Sequence, residues 1–251
     1  MRPSEIYLSV IVPTYNEAER LPGTLKRFQE YLLAKPFTYE IIVVLDGPTD
    51  NTRDVLATMV YEIKCLKILD RNVNRGKGYT VREGMLKASG RVRLFSDADN
   101  STDISHFDKM QSLLDGGCDL VICSRSSSDA PGARQVVPQV WYKRMIGKFG
   151  NLFVQLLAVR GIWDTQCGFK AFRDYAAEKI FSQTAIDGWG FDIEVLALAR
   201  ALQYRIGIVP AAWINDPRSH VIWGGYLGAL WEILKIRWNL VRGHYKDVGL
   251  R

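Results

Sequence analysis

The chain has 251 residues, 47% of them hydrophobic and 24% charged, with a net charge of +6. That length allows one large domain with a full core, and the composition excludes general disorder. The charge is uneven: residues 1–133 carry a net −1 and residues 134–251 a net +7. The second half therefore suits an anionic partner, whether phosphate, nucleic acid or an acidic membrane surface, unless the charge serves solubility alone.

Cys65, Cys118, Cys123 and Cys167 form no CxxC pair and lie near no histidine, so they read as core thiols rather than zinc ligands or disulfides. The start, Met1–Glu5, leads into a short apolar run unlike a signal peptide. The apolar stretches Phe149–Val159 and Val221–Trp231 fall well short of the ~20 residues needed to span a bilayer. A peripheral protein on the cytoplasmic side of a membrane is the expectation.

The elements alternate. Leu8–Val12 is a β-branched run ended by Pro13, after which Asn16 is placed to cap a helix through Leu21, Leu25, Phe28 and Leu32. Ile41–Leu45 reads as a buried strand stopped by Asp46-Gly47-Pro48. A helix over Asn51–Tyr61 and a strand near Leu66–Leu69 follow. Gly78–Ala88 is helical with Gly90 closing it, then Val92–Ser96 and Leu120–Cys123 read as strands. Apolar strands alternating with amphipathic helices imply an α/β architecture, a mostly parallel central sheet flanked by helices. A soft boundary near Pro131–Pro138 separates the halves; beyond it Met145–Val159 and Ile222–Arg242 read as helices with long apolar faces and basic flanks.

Three polar clusters fall where such a sheet binds ligands, beyond the carboxyl ends of its strands. Asp97 and Asp99 flank Ala98 directly after a buried strand, and side chains at i and i+2 of an extended segment point the same way. Both carboxylates can meet one hard cation, Mg²⁺ or Mn²⁺, with phosphates and waters completing the octahedron; a solvated acidic turn is the alternative. Asp46-Gly47-Pro48 can offer a carboxylate to a base or ribose, or simply form a turn. Asn74-Arg75-Gly76-Lys77-Gly78 opens a helix with two cations and two glycines, which suits a phosphate as well as a plain helix entry. Neither a P-loop nor GxGxxG is present.

The order Pro13-Thr14-Tyr15-Asn16-Glu17, Asp46-Gly47, Arg75-Gly76-Lys77-Gly78, Asp97-Ala98-Asp99 resembles the family 2 inverting glycosyltransferases of the GT-A (nucleotide-diphospho-sugar transferase) fold. Asp164-Thr165-Gln166-Cys167-Gly168-Phe169-Lys170 and Trp189-Gly190-Phe191-Asp192-Ile193-Glu194 are similar to the branch that makes dolichyl-phosphate or polyprenyl-phosphate sugars. The resemblance implies a catalytic domain over 1–215, its 1–133 half for the donor and its 134–215 half for the acceptor, with 216–251 a C-terminal amphipathic segment. It implies a UDP- or GDP-hexose donor, glucose favoured. Pro13, Tyr15 and Glu17 would border the nucleoside and Asp46 the base. Lys77 and Ala98 would meet the donor, Asp97 the ribose or metal, and Asp99 the metal. Arg125, Lys143 and Arg144 would receive the acceptor phosphate, and Asp192 would shape the sugar site or act as base if the acceptor were a hydroxyl.

Three positions depart from the family pattern: Leu45-Asp46 replaces paired aspartates, Pro48 a serine, and Ser101 the glutamine of the mannose synthases. A saccharide acceptor and a nucleotidyltransferase are the competing enzyme readings; no nucleic-acid-binding motif supports the charge-based one. At the C-terminus Trp223, Tyr226, Leu227, Leu230, Trp231, Leu234, Trp238 and Val241 recur at helical spacing beside Lys235, Arg237 and Arg242, as in an interfacial helix or a core one.

Overall fold

The computed structural model describes residues 5–135, 150–214 and 224–246. Lys143, Arg144 and Trp223 lie outside the described residues, as do the side chains of Tyr226 and Leu227. Seven strands form one sheet in the order β3-β2-β1-β4-β7-β5-β8. They are β1 (Leu8–Thr14), β2 (Tyr39–Asp46), β3 (Leu66–Arg71), β4 (Val92–Ser96), β5 (Leu120–Ser124), β7 (Phe169–Arg173) and β8 (Ile206–Pro210). All neighbours run parallel except β7, which pairs antiparallel with both β4 and β5. β7 comes from the basic half and lies between strands of the other half, so the charge boundary is not a boundary of the sheet. A two-stranded pair, β6 (Arg134–Gln135) with β9 (Ala212–Trp213), stands apart from it.

The sheet is covered on both faces, and the strands divide by alternation. In β1, Val10 and Val12 pack on one side and Ile11 on the other; in β2, Ile41, Val43 and Leu45 oppose Ile42 and Val44. The first face takes α1 (Leu21–Leu33), α2 (Thr52–Met59) and α4 (His106–Asp115). Helix α1 buries Leu21, Leu25, Phe28 and Leu32, the stripe its spacing announced. The second face takes α3 (Lys77–Lys87), α6 (Asp174–Phe181), α7 (Phe191–Ala201) and α8 (Gly224–Arg242), with a short helix α5 over residues 150–157.

Three local expectations change. Asn16 does not cap α1, which starts five residues later behind Arg20. Asn16 instead sits at φ 52 and bonds the loop after β2, accepting from the Thr49 N–H at 2.8 Å. Gly90 does not close α3, which ends at Lys87. It lies against β1, where an added Cβ would come within 2.6 Å of the Ser9 nitrogen. Cys65 is exposed at φ 58, unlike buried Cys123 and Cys167; all four thiols are free.

Candidate active site

The carboxyl ends of β1, β2, β3, β4 and β5 meet along one edge, and each delivers a polar loop there. Antiparallel β7 adds its amino end at the same edge, because Ser96 pairs with Phe169. That register places Gly168 opposite Asp97, and the Asp97 N–H donates to the Gly168 carbonyl at 3.1 Å. An added Cβ on Gly168 would stand 1.9 Å from Asp97 Oδ2. No side chain other than hydrogen fits beside this carboxylate.

Lys77 Nζ lies 2.6 Å from Asp97 Oδ1, with the Trp189 ring 5.2 Å away. Burial would lower the Lys77 pKa, but Asp97, Asp192 and Asp99 together raise it, so the ammonium stays charged. Burial raises the Asp99 carboxyl, and the neighbouring Asp97 charge adds to it, while the Ser101 N–H donates to Asp99 Oδ1 at 2.9 Å. Ala98 is buried, its carbonyl accepting from Thr24 Oγ1 at 2.6 Å. A narrow cavity beside this turn is bounded by Asp97, Asp99, Ser101, Gly168 and Trp213 among others.

Among the described residues no group of three or more His, Cys, Asp or Glu gathers as a metal site. Two carboxylates two residues apart nevertheless fit a hard cation that takes most of its oxygens from phosphate and water. Asn100 Oδ1, buried and without a hydrogen-bond partner, leaves an oxygen donor at the same turn, and the Ser101 side chain lies beside Asp99. The residues present fit Mg²⁺ or Mn²⁺.

Other sequence-derived candidates are held differently. Asp46 is buried, and its carboxylate accepts from Arg71 at 2.5 Å and from the Arg75 and Gly76 N–H groups at 2.8 and 2.9 Å. It thus ties the glycine loop to β2. Tyr15 is exposed, Pro13 half-buried, and Glu17 pairs with Arg20 at 2.5 Å. Arg125 makes a two-pronged pair with Asp164, Nε and one terminal nitrogen each at 2.7 Å, and lies over Trp213 at 5.2 Å. Asp192 is 2% exposed and bonded to the fully buried Lys170, whose Nζ also donates to the Cys167 carbonyl at 2.7 Å. Burial raises the Asp192 carboxyl although Lys170 and Lys77 both pull it down. Glu194 accepts from the Ala185 and Ile186 N–H groups and from the Tyr245 hydroxyl.

Lys77, Asp97, Asp99 and Asp192 therefore form one electrostatic cluster, with the Arg125–Asp164 pair at its flank. Sequence reasoning missed Asp164 and Lys170 as the partners of Arg125 and Asp192, and Trp213 as a wall. The residues Asp164–Lys170 stood out as a motif, but their partners lie 22 to 39 positions away.

Residues 9–181 match the family described as Glycosyl transferase family 2. The chain belongs to this family. It is 35% identical to a dolichyl-phosphate beta-glucosyltransferase of Drosophila melanogaster, over 92% of this chain and 78% of that one. Its fold matches that of the glucosyl-3-phosphoglycerate synthase of Mycobacterium tuberculosis in complex with uridine diphosphate. There the TM-score is 0.68 at 16% identity, covering 98% of this chain and 83% of that one. It also matches a mannosyltransferase of Pyrobaculum calidifontis in complex with GDP-Man and Mn²⁺, at a TM-score of 0.59 and 17% identity, covering 97% and 65%. The GT-A architecture and a glycosyl-transferring enzyme follow, as the motif order implied.

Proposed function

We propose that the enzyme moves a hexose, glucose by preference, from a UDP- or GDP-sugar to dolichyl or polyprenyl phosphate with inversion at the anomeric carbon. The observation that carries this reading is the cluster of Lys77, Asp97 and Asp99 at the carboxyl edge of the sheet, in a chain 35% identical to a dolichyl-phosphate beta-glucosyltransferase. Lys77, at the amino end of α3, receives the donor diphosphate with the help of that helix terminus. Asp97 and Asp99 would hold Mg²⁺ or Mn²⁺, which when bound neutralises charge on the leaving nucleoside diphosphate. Tyr15, exposed at the end of β1, borders the nucleoside, while Asp46 fixes the loop that presents Lys77.

A phosphate monoester acceptor is largely ionised near neutral pH, its second pKa being about 6. One of its oxygens attacks the anomeric carbon, the bond to the nucleoside diphosphate breaks, and the electron pair leaves with that group. No strong general base is needed. Asp192, sealed against Lys170, has no open face on which to take a proton from a sugar hydroxyl. That favours an acceptor arriving already ionised. Arg125, fixed by Asp164, keeps one terminal nitrogen outside that pair for the acceptor phosphate, and Lys143 and Arg144 are assigned to the same anion.

Among the described residues no helix is long and apolar enough to cross a membrane. Helix α8 buries Ile233, Ile236 and Leu240, yet presents Trp231 (71% exposed), Leu234, Trp238 (56%) and Val241 outward beside Lys235, Arg237 and Arg242. In α5, Leu152, Phe153 and Leu156 are exposed as well. Tryptophans with flanking cations suit the headgroup level of an anionic cytoplasmic leaflet, where the lipid acceptor resides. The test is a screen of labelled UDP- and GDP-hexoses against dolichyl and polyprenyl phosphates, with and without Mn²⁺. Metal-dependent label in the lipid phase is expected; label transferred only to a saccharide, or pyrophosphate released from a nucleoside triphosphate, would overturn the reading.

A further inference from the structure

The segment 184–190 is pressed between two layers, and small residues line both contacts. On one side the amino end of α3 lies against it. The Gly78 N–H donates to the Asp187 carbonyl at 2.8 Å, and Arg82 binds the Thr184 carbonyl and the Asp187 carboxylate. Added Cβ atoms on Gly76 and Gly78 would each lie 2.4 Å from carbonyl oxygens of Asp187 and Ile186. On the other side lies α8. Glu232 Oε2 accepts from the Gly190 N–H at 2.7 Å, and Cβ atoms on Gly188 and Gly190 would meet the Glu232 side chain at 2.2 and 2.8 Å. Trp189, between those two glycines, is exposed and faces Lys77.

We infer that Glu232 is a positioning residue: from the C-terminal helix it holds Gly188-Trp189-Gly190 over Lys77, so that the Trp189 ring forms a wall of the donor-diphosphate site. Its carboxylate sits at the amino end of α7, where negative charge and a free acceptor are both favoured. Without it the Gly190 N–H loses its partner and residues 188–190 lose their tie to α8, while α3 still holds Asp187 and Glu194 of α7 still holds the Ala185 and Ile186 N–H groups. Lys77 then keeps Asp97 but loses a fixed ring beside it. This inference rests on the reading that Lys77 meets the donor diphosphate.

The experiment compares Glu232→Ala, Glu232→Gln, Trp189→Ala and the Glu232→Ala/Trp189→Ala pair. It measures KM for the donor, kcat, binding of UDP with Mg²⁺ by calorimetry, and thermal unfolding. Glu232→Ala is expected to weaken UDP binding and raise donor KM roughly tenfold, the scale of one lost partly buried hydrogen bond to a charged acceptor. Glu232→Gln, which keeps an acceptor oxygen, restores most of this. The double variant is no worse than Trp189→Ala, because both act through one ring. Unchanged UDP affinity per folded molecule in Glu232→Ala, or fully additive losses, would overturn the inference. If wild-type enzyme bound UDP but moved no sugar to lipid, the acceptor reading would fail while the calorimetry still decided the role of Glu232.

Discussion

Gly168→Ala is the sharpest perturbation the site offers. Gly168 has no need of the left-handed backbone, so alanine is tolerated conformationally and the change is purely one of space. The new methyl would lie 1.9 Å from Asp97 Oδ2 and 2.3 Å from its Cγ, against a comfortable separation of about 3.5 Å. The strand cannot yield easily, because the Asp97 N–H is bonded to the Gly168 carbonyl and Ser96 is in register with Phe169. The carboxylate must therefore swing away by about 1.5 Å, leaving Lys77 and its place beside Asp99. A displacement of ~1 Å in a reacting constellation costs on the order of 100-fold in rate. Since the group moved is the far end of a side chain 33% exposed, the fold should lose no more than about 1 kcal/mol. Initial rates of hexose transfer and thermal unfolding, measured together, check this. Transfer within threefold of wild type would refute the reasoning, as would a rate loss matched by an equally large loss of folded protein.

Breaking the buried Lys170–Asp192 pair with Lys170→Met should destabilise by about 3–5 kcal/mol, since it strands a carboxylate that is already raised by burial; the urea midpoint reads this, and an apolar replacement of both partners should recover much of it. For Asp164, burial raises the carboxyl but the charge and hydrogen bonds of Arg125 outweigh it, leaving the folded value below the unfolded one of about 3.9. That stability is fully present above about pH 4 and is lost as pH falls below it, so Arg125→Met should flatten the acid limb of the unfolding profile. Trp231→Glu with Trp238→Glu should release the enzyme from anionic vesicles in a sedimentation assay, with unchanged unfolding temperature, because both rings are exposed.

Much of residues 1–133 was legible because its signals are local. Short, largely apolar runs marked β1, β2, β4 and β5, and the residue after each strand fell at the carboxyl edge as a parallel sheet requires. Asp97 and Asp99 were located by the strand before them and the order of the motifs around them, although the chain turns after Ser96 rather than staying extended. What stayed hidden depends on pairing across distance. Nothing near Phe169 announces that β7 runs antiparallel between β4 and β5, yet that register sets Gly168 against Asp97. Asp46 read as either a turn residue or, by resemblance, a carboxylate for the base, and its contacts with Arg71 and two loop N–H groups come only from the fold. Asn16 looked like a cap for the same reason: its partner at Thr49 is 33 residues away.

The proposed acceptor is a lipid phosphate, which attacks the sugar with inversion at the anomeric carbon. The most direct measurement incubates the enzyme with UDP-glucose, dolichyl phosphate and Mn²⁺, and determines the anomeric configuration of any glucose recovered in the organic phase. A glucosyl phosphate lipid of β configuration is the expected product. Glucose confined to the aqueous phase, or joined to the lipid in the α configuration, would contradict it.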